Sequence, residues 1–169
     1  MEKQQEVLIQ QGKRWEAKVS TTLPNASTDQ IWPLFADFFG LHKWFPGLST
    51  CYGLSGDNGQ HGCVRYCSGG SLSAIVGGDE KVTSSWSKER LVAIDHGGKS
   101  LSYEILDCNI GFKSYVSTIK IVDGESGKGC VIEWWFGVDN VEGMRLEDLI
   151  KKYEVGLHGM ATKMSMSLK

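Results

Sequence analysis

Trp15, Ala17 and Val19 alternate with Glu16, Lys18 and Ser20, a period of two that predicts a strand opening near Lys13 with one face toward a core. Pro24-Asn25 breaks it. Ser27 with Gln30 three residues on matches a capping box and predicts a helix whose apolar stripe is Ile31, Leu34, Phe35 and Phe38. Pro33 lies beyond the first turn and removes a ladder donor, so a kink or an early stop is expected there. A second short helix is expected around Leu41 to Phe45, closed by Pro46-Gly47.

Six stretches of strand character follow at hairpin spacing: Leu48–Leu54, Cys63–Cys67, Val82–Ile94, Leu101–Cys108, Tyr115–Val122 and Cys130–Val138. Turn signals separate them, among them Gly56-Asp57-Asn58-Gly59, Gly69-Gly70, Gly77-Gly78 and His96-Gly97-Gly98. Consecutive strands joined by short loops argue for an antiparallel meander and against βαβ units. Trp134 shares its strand face with Ile132 and Phe136, so it is expected inward and Trp135 outward. From about Val141 the period changes. Met144, Leu146, Leu149, Ile150, Tyr153, Leu157, Met160, Met164 and Leu168 recur in steps of three and four, which predicts one long amphipathic helix. Gly156 and Gly159 weaken that helix by about 1 kcal/mol each relative to alanine.

These elements specify an α+β helix-grip fold: a seven-stranded curved antiparallel sheet around a long C-terminal helix, with two short helices after the first strand. Residues 1–12 are polar and are expected to form a flexible tail, with 13–169 as a single small-molecule-binding domain. A strongly curved sheet cannot collapse onto itself, and one helix cannot fill its concave face. A cavity is therefore expected, its mouth edged by the glycine-rich loops.

Composition narrows the function classes. With 41% hydrophobic and 22% charged residues the chain is globular, and a formal charge of −2 gives no electrostatic drive toward nucleic acid or an anionic membrane. No apolar run approaches the ~18 residues of a membrane span, and the first residues lack the apolar core of a signal peptide. A cytoplasmic monomer is expected, without stable membrane insertion. The five cysteines are odd in number and no pair has C-x-x-C spacing, so they read as buried thiols in a reducing compartment. His42, His61, His96 and His158 are scattered. Neither a metal nor a cofactor is expected.

Arg14-Trp15, Leu23-Pro24-Asn25, Asp37-Phe38, Leu41-His42-Lys43, Gly62-Cys63-Val64-Arg65-Tyr66, Lys88-Glu89, Leu91-Val92-Ala93, Ser102-Tyr103, Tyr115 and Glu142-Gly143-Met144 carry a resemblance. The chain resembles the plant branch of the helix-grip superfamily, which includes START-like lipid carriers, birch-pollen-allergen-like proteins, abscisic acid receptors and polyketide cyclase-like proteins. Within it the chain is most similar to the lachrymatory-factor synthase family. The receptor gate is replaced by Ser68-Gly69-Gly70-Ser71-Leu72, and no receptor latch stands near His96-Gly97-Gly98-Lys99.

The synthase resemblance implies an essential pair, Arg65 and Glu89, with Tyr103 and Tyr115 as pocket tyrosines. It implies a cofactor-free proton shift within a sulfenic acid that yields a thial S-oxide. A guanidinium holds and stabilises developing negative charge, and a carboxylate beside it takes and returns a proton. Trp134 joins the list as a substrate-facing ring. Other readings of the same residues stay open. Arg65 and Glu89 also fit a buried structural ion pair, and Glu89 between Lys88 and Arg90 fits a solvated strand face. Tyr103, Tyr115 and Trp134 also fit amphipathic core. The functional alternatives are thus an isomerase or cyclase acting on a small hydrophobic or sulfur-containing metabolite, and a non-catalytic carrier or sensor of a hydrophobic metabolite or lipid.

Overall fold

The computed structural model describes residues 14–76 and 79–169. The expected N-terminal tail and the Gly77-Gly78 turn lie outside the described residues. Strand β1 (Arg14–Leu23) pairs antiparallel along its length with β7 (Cys130–Asp139). Between them run β2 (Leu48–Ser55), β3 (Val64–Val76), β4 (Asp79–Asp95), β5 (Ser100–Cys108) and β6 (Val116–Asp123). The sheet order is β1-β7-β6-β5-β4-β3-β2, the expected meander with the first strand returning to the last.

The expectation that Gly69-Gly70 ends a strand is corrected: β3 runs through both glycines. Gly70 has φ +73°, Gly69 has φ +152°, and the β3–β4 register slips between Gly69 and Leu72. A side chain on Gly69 would collide with the backbone of Gly47 and Ser49. The pair is a bulge that lets β3 pass close to the chain entering β2, the usual meaning of glycine inside a strand.

Helix α1 (Thr28–Ala36) begins on the predicted capping box, with Gln30 N donating to Ser27 Oγ at 3.2 Å and Ser27 N to Gln30 Oε1 at 2.9 Å. It ends one turn after Pro33. The second short helix is a 3-10 segment, Phe38–Lys43, and so starts three residues earlier than expected. Phe38 sets that start: its ring is buried, and its carbonyl accepts a hydrogen bond from Arg65.

Helix α2 (Leu146–Ser167) starts later than the pattern suggested, because Gly143 at φ +80° closes a turn with Met144 N bonded to Val141 O at 3.1 Å. Met144 and Leu168, counted in the apolar stripe, are exposed. Leu146, Leu149, Ile150, Leu157, Met160 and Met164 are buried. That stripe joins Val19, Leu101, Ile119, Ile132 and Trp134 in one core cluster with Ile31, Phe35 and Phe38. No helix among the described residues is long and apolar enough to cross a membrane.

Gly156 and Gly159 have a packing role that propensity alone hides. A β carbon on Gly156 would sit 3.1 Å from the Phe45 ring, and one on Gly159 would sit 2.7 Å from Pro46 Cγ. The bare helix backbone there receives the Phe45-Pro46 loop. Gly159→Ala, which adds about 1 kcal/mol to an isolated helix, is expected to lower stability in this protein. Urea unfolding would read it as a lower midpoint, whereas a higher midpoint would show that the loop does not need the space.

Candidate ligand cavity and buried ion pair

Arg65 and Glu89 are directly opposite in the β3–β4 register, and both side chains point to the concave face. Side-chain alternation explains this: Lys88 and Arg90 take the other face, where Arg90 pairs with Glu104 of β5. The solvated-face reading of Glu89 is thereby excluded, since Glu89 is only 8% exposed and Arg65 3%. Arg65 Nε donates to Glu89 Oε1 at 2.8 Å, and Nη2 approaches the same oxygen at 2.7 Å. Arg65 Nη1 donates to the Phe38 carbonyl at 2.8 Å. The second carboxylate oxygen, Oε2, accepts from Ser87 Oγ at 2.8 Å. Aromatic faces enclose the cation, with the guanidinium carbon 3.7 Å from the Phe38 ring centre and 4.8 Å from that of Tyr103. Burial pulls the Arg65 pKa down, but the Glu89 carboxylate, helped by smaller contributions from Cys67 and Tyr103, leaves it above the ordinary arginine value. Arg65 therefore stays charged.

The hollow lies beside this pair and not around it. Where Arg65, Tyr103, Trp134, Phe38 and Met160 meet, the remaining void is about 10 Å³, at the lower limit for one water. A cavity of about 440 Å³ opens between α2 and the β3–β4 end of the sheet. That volume falls within the roughly 300–1,000 Å³ typical of small-molecule sites. Phe45, Pro46, Leu48, Ile110, Phe112 and Leu149 give it apolar walls, and Cys67, Ser87, Lys152 and Tyr153 supply polar atoms. Gly47, Gly69 and Gly70 edge it, in keeping with the expected glycine-lined mouth.

The predicted aromatic residues are all interior, but none of the three forms the wall of this cavity. Tyr103 packs against Phe38 and Tyr115 with ring centres 6.1 and 6.2 Å away. Tyr115 stacks on Phe136, and its hydroxyl lies 2.6 Å from that of Tyr153. Trp134 faces inward as expected, 4.7 Å from the Tyr153 ring, and its Nε1 donates to Ser117 Oγ. Burial pushes the phenols of Tyr103, Tyr115 and Tyr153 well above their ordinary pKa, so all three remain neutral hydroxyls.

Tyr153, Ser87 and Cys67 were not singled out as site residues by the sequence, and all three reach the cavity. Tyr153 is the one phenol in an otherwise aliphatic helical stripe, a signal that was available. Ser87 and Cys67 stand two residues from Glu89 and Arg65, so strand alternation puts them on the same face.

Residues 14–165 match the family described as polyketide cyclase / dehydrase and lipid transport. The chain belongs to that family. Among solved structures, major latex-like protein 151 from Panax ginseng superposes with a TM-score of 0.72 at 17% identity, covering 92% of this chain and 98% of that one. The Bacillus cereus protein XoxI gives 0.65 at 18% identity over 90% and 94%. An uncharacterised Bacillus thuringiensis protein gives 0.65 at 21% identity over 88% and 98%. At these identities the likeness shows the shared fold.

An ion pair this deep contributes by being complete, because removing one partner strands a buried charge. Glu89→Ala is expected to destabilise by about 3–5 kcal/mol, while Arg65→Met combined with Glu89→Leu recovers most of the loss. Chemical denaturation of the two variants checks this. A single variant as stable as wild type would mean that the charge is not desolvated.

Proposed function

We propose that the 440 Å³ cavity binds a small hydrophobic metabolite and that Glu89, held by Arg65, moves a proton on it without a cofactor. One observation carries this reading. Glu89 Oε2 is free of Arg65 and bonded to the Ser87 hydroxyl, and Ser87 belongs to the cavity wall. A proton from a ligand in the cavity thus has a two-step path, through Ser87 Oγ, to a carboxylate whose other oxygen is neutralised by a permanent cation. Tyr153, in the same wall, orients the ligand oxygen through the hydroxyl it shares in a hydrogen bond with Tyr115.

The resemblance to lachrymatory-factor synthase gives this chemistry a definite form. An alkenyl sulfenic acid gives its O–H proton to Glu89. A sulfur lone pair forms the C=S bond as the carbon–carbon π pair moves to the alkene carbon distal to sulfur. That carbon takes the proton back from Glu89, and the oxygen stays on sulfur as the S-oxide. The product is an isomeric thial S-oxide, so atoms and electrons balance without a redox partner. The Ser87 and Tyr153 hydroxyls stabilise the intermediate anion as it develops.

A second reading, a carrier that returns its ligand unchanged, is favoured by a different observation: neither Arg65 nor Glu89 lines the large cavity directly. Generating an alkenyl sulfenic acid in place by thermal elimination from its sulfoxide, and measuring thial S-oxide by mass spectrometry, separates the two. Turnover is expected in wild type, a loss of at least about 100-fold in Glu89→Gln, and a smaller loss with a raised KM in Tyr153→Phe. No product above the uncatalysed rate, together with displacement of a bound hydrophobic fluorophore by a stable thioether analogue, would overturn catalysis of this reaction and leave the carrier.

A further inference from the structure

We propose that Cys51 and Cys67 form an oxidative-modification site, at which a small hydroperoxide converts two thiols into an intramolecular disulfide between β2 and β3. The two residues are directly opposite in the β2–β3 register, and their sulfurs are 3.5 Å apart. Both are buried free thiols. Opposed strand residues have β carbons roughly 4.5–5.5 Å apart, and a disulfide needs roughly 3.5–4.5 Å. Closure therefore asks for a shift of about 1 Å. β2 can supply it, because it is an edge strand whose register already slips on both sides of Cys51, between Leu48 and Thr50 and between Gly53 and Ser55.

Their surroundings assign the two sulfurs different roles. Cys67 Sγ donates its hydrogen bond to Cys51 Sγ. That bond lowers the Cys51 pKa, burial opposes it, and the Arg65 charge, a backbone hydrogen bond from Leu41 and the His42 side chain bring the thiol down to about 6. Cys67 is pushed the other way, chiefly by the same bond, and stays protonated. Cys67 also belongs to the wall of the 440 Å³ cavity, so a peroxide in the cavity comes within one sulfur of Cys51.

The chemistry closes without further components. The Cys51 thiolate attacks one oxygen of the hydroperoxide, the O–O bond breaks, and the alcohol or water leaves with a proton. The Cys67 thiol then attacks the Cys51 sulfenic acid, forming the S–S bond and expelling water. Two electrons pass from the thiols to the peroxide. Because Cys67 Sγ lies 3.9 Å from Glu89 Oε1, closing the bridge also removes a thiol neighbour from the carboxylate of the ion pair.

The test treats the reduced full chain with hydrogen peroxide, then denatures it, alkylates it without reduction and maps the peptides by mass spectrometry. Alkylatable thiols are expected to fall from five to three, with one linked peptide joining Cys51 to Cys67 and with Cys63, Cys108 and Cys130 still free. In Cys67→Ser the oxidation is expected to stop at a Cys51 sulfenic acid that dimedone captures. Five alkylatable thiols, after a dose that fully oxidises glutathione in a parallel sample, would overturn the proposal. So would a disulfide found only between chains or only to another cysteine.

Discussion

Two opposite charges face each other across β3 and β4 in a closely packed interior, and neither can be left there alone. A solitary guanidinium or carboxylate at that depth costs several kcal/mol, so the register that joins them is enforced by desolvation. A slip of one residue in β4 would turn Lys88 and Arg90 inward and Glu89 outward. The bonds to the Phe38 carbonyl and the Ser87 hydroxyl extend the constraint to the 3-10 segment and along β4. The pair thus fixes three pieces of chain at once: strands β3 and β4 and the segment that follows α1.

The same packing decides where a ligand fits. Phe38, Tyr103, Tyr115, Phe136 and Trp134 fill the concave face beside the ion pair, and a cavity opens toward the glycine-lined end of β3 and β4. There α2 offers Gly156 and Gly159 to the Phe45-Pro46 loop, which forms part of the cavity wall. Ser87 and Cys67, which line the cavity together with Lys152 and Tyr153, therefore stand one layer away from the buried ion pair.

The thiol pair belongs to that layer as well. Cys51, Cys67 and Ser87 form a cross-strand row next to the row that holds Arg65 and Glu89. The buried ion pair and the opposed pair of thiols thus share one end of the sheet, with Glu89 in contact with both Cys67 and Ser87.

Local pattern along the chain sets the element types, their order and the inward face of most strands. Alternation at Trp15–Ser20 and the three-and-four steps of α2 are local properties of the chain. The Ser27–Gln30 cap was equally legible, since both partners lie within one turn. Local pattern does not reveal a glycine whose reason is a distant neighbour: Gly69-Gly70 is a bulge against Gly47 and Ser49, and Gly156 and Gly159 make room for Phe45 and Pro46. The resemblance carried Arg65 and Glu89, but whether they faced each other or the solvent depended on a register between strands whose partners lie 24 residues apart. Tertiary structure alone decided that the space for a ligand sits beside the ion pair, that Tyr153 and Ser87 reach it, and that Cys51 meets Cys67. Each of these is a distance between side chains remote in sequence, set by how aromatic volume fills a curved sheet, and no local pattern encodes it.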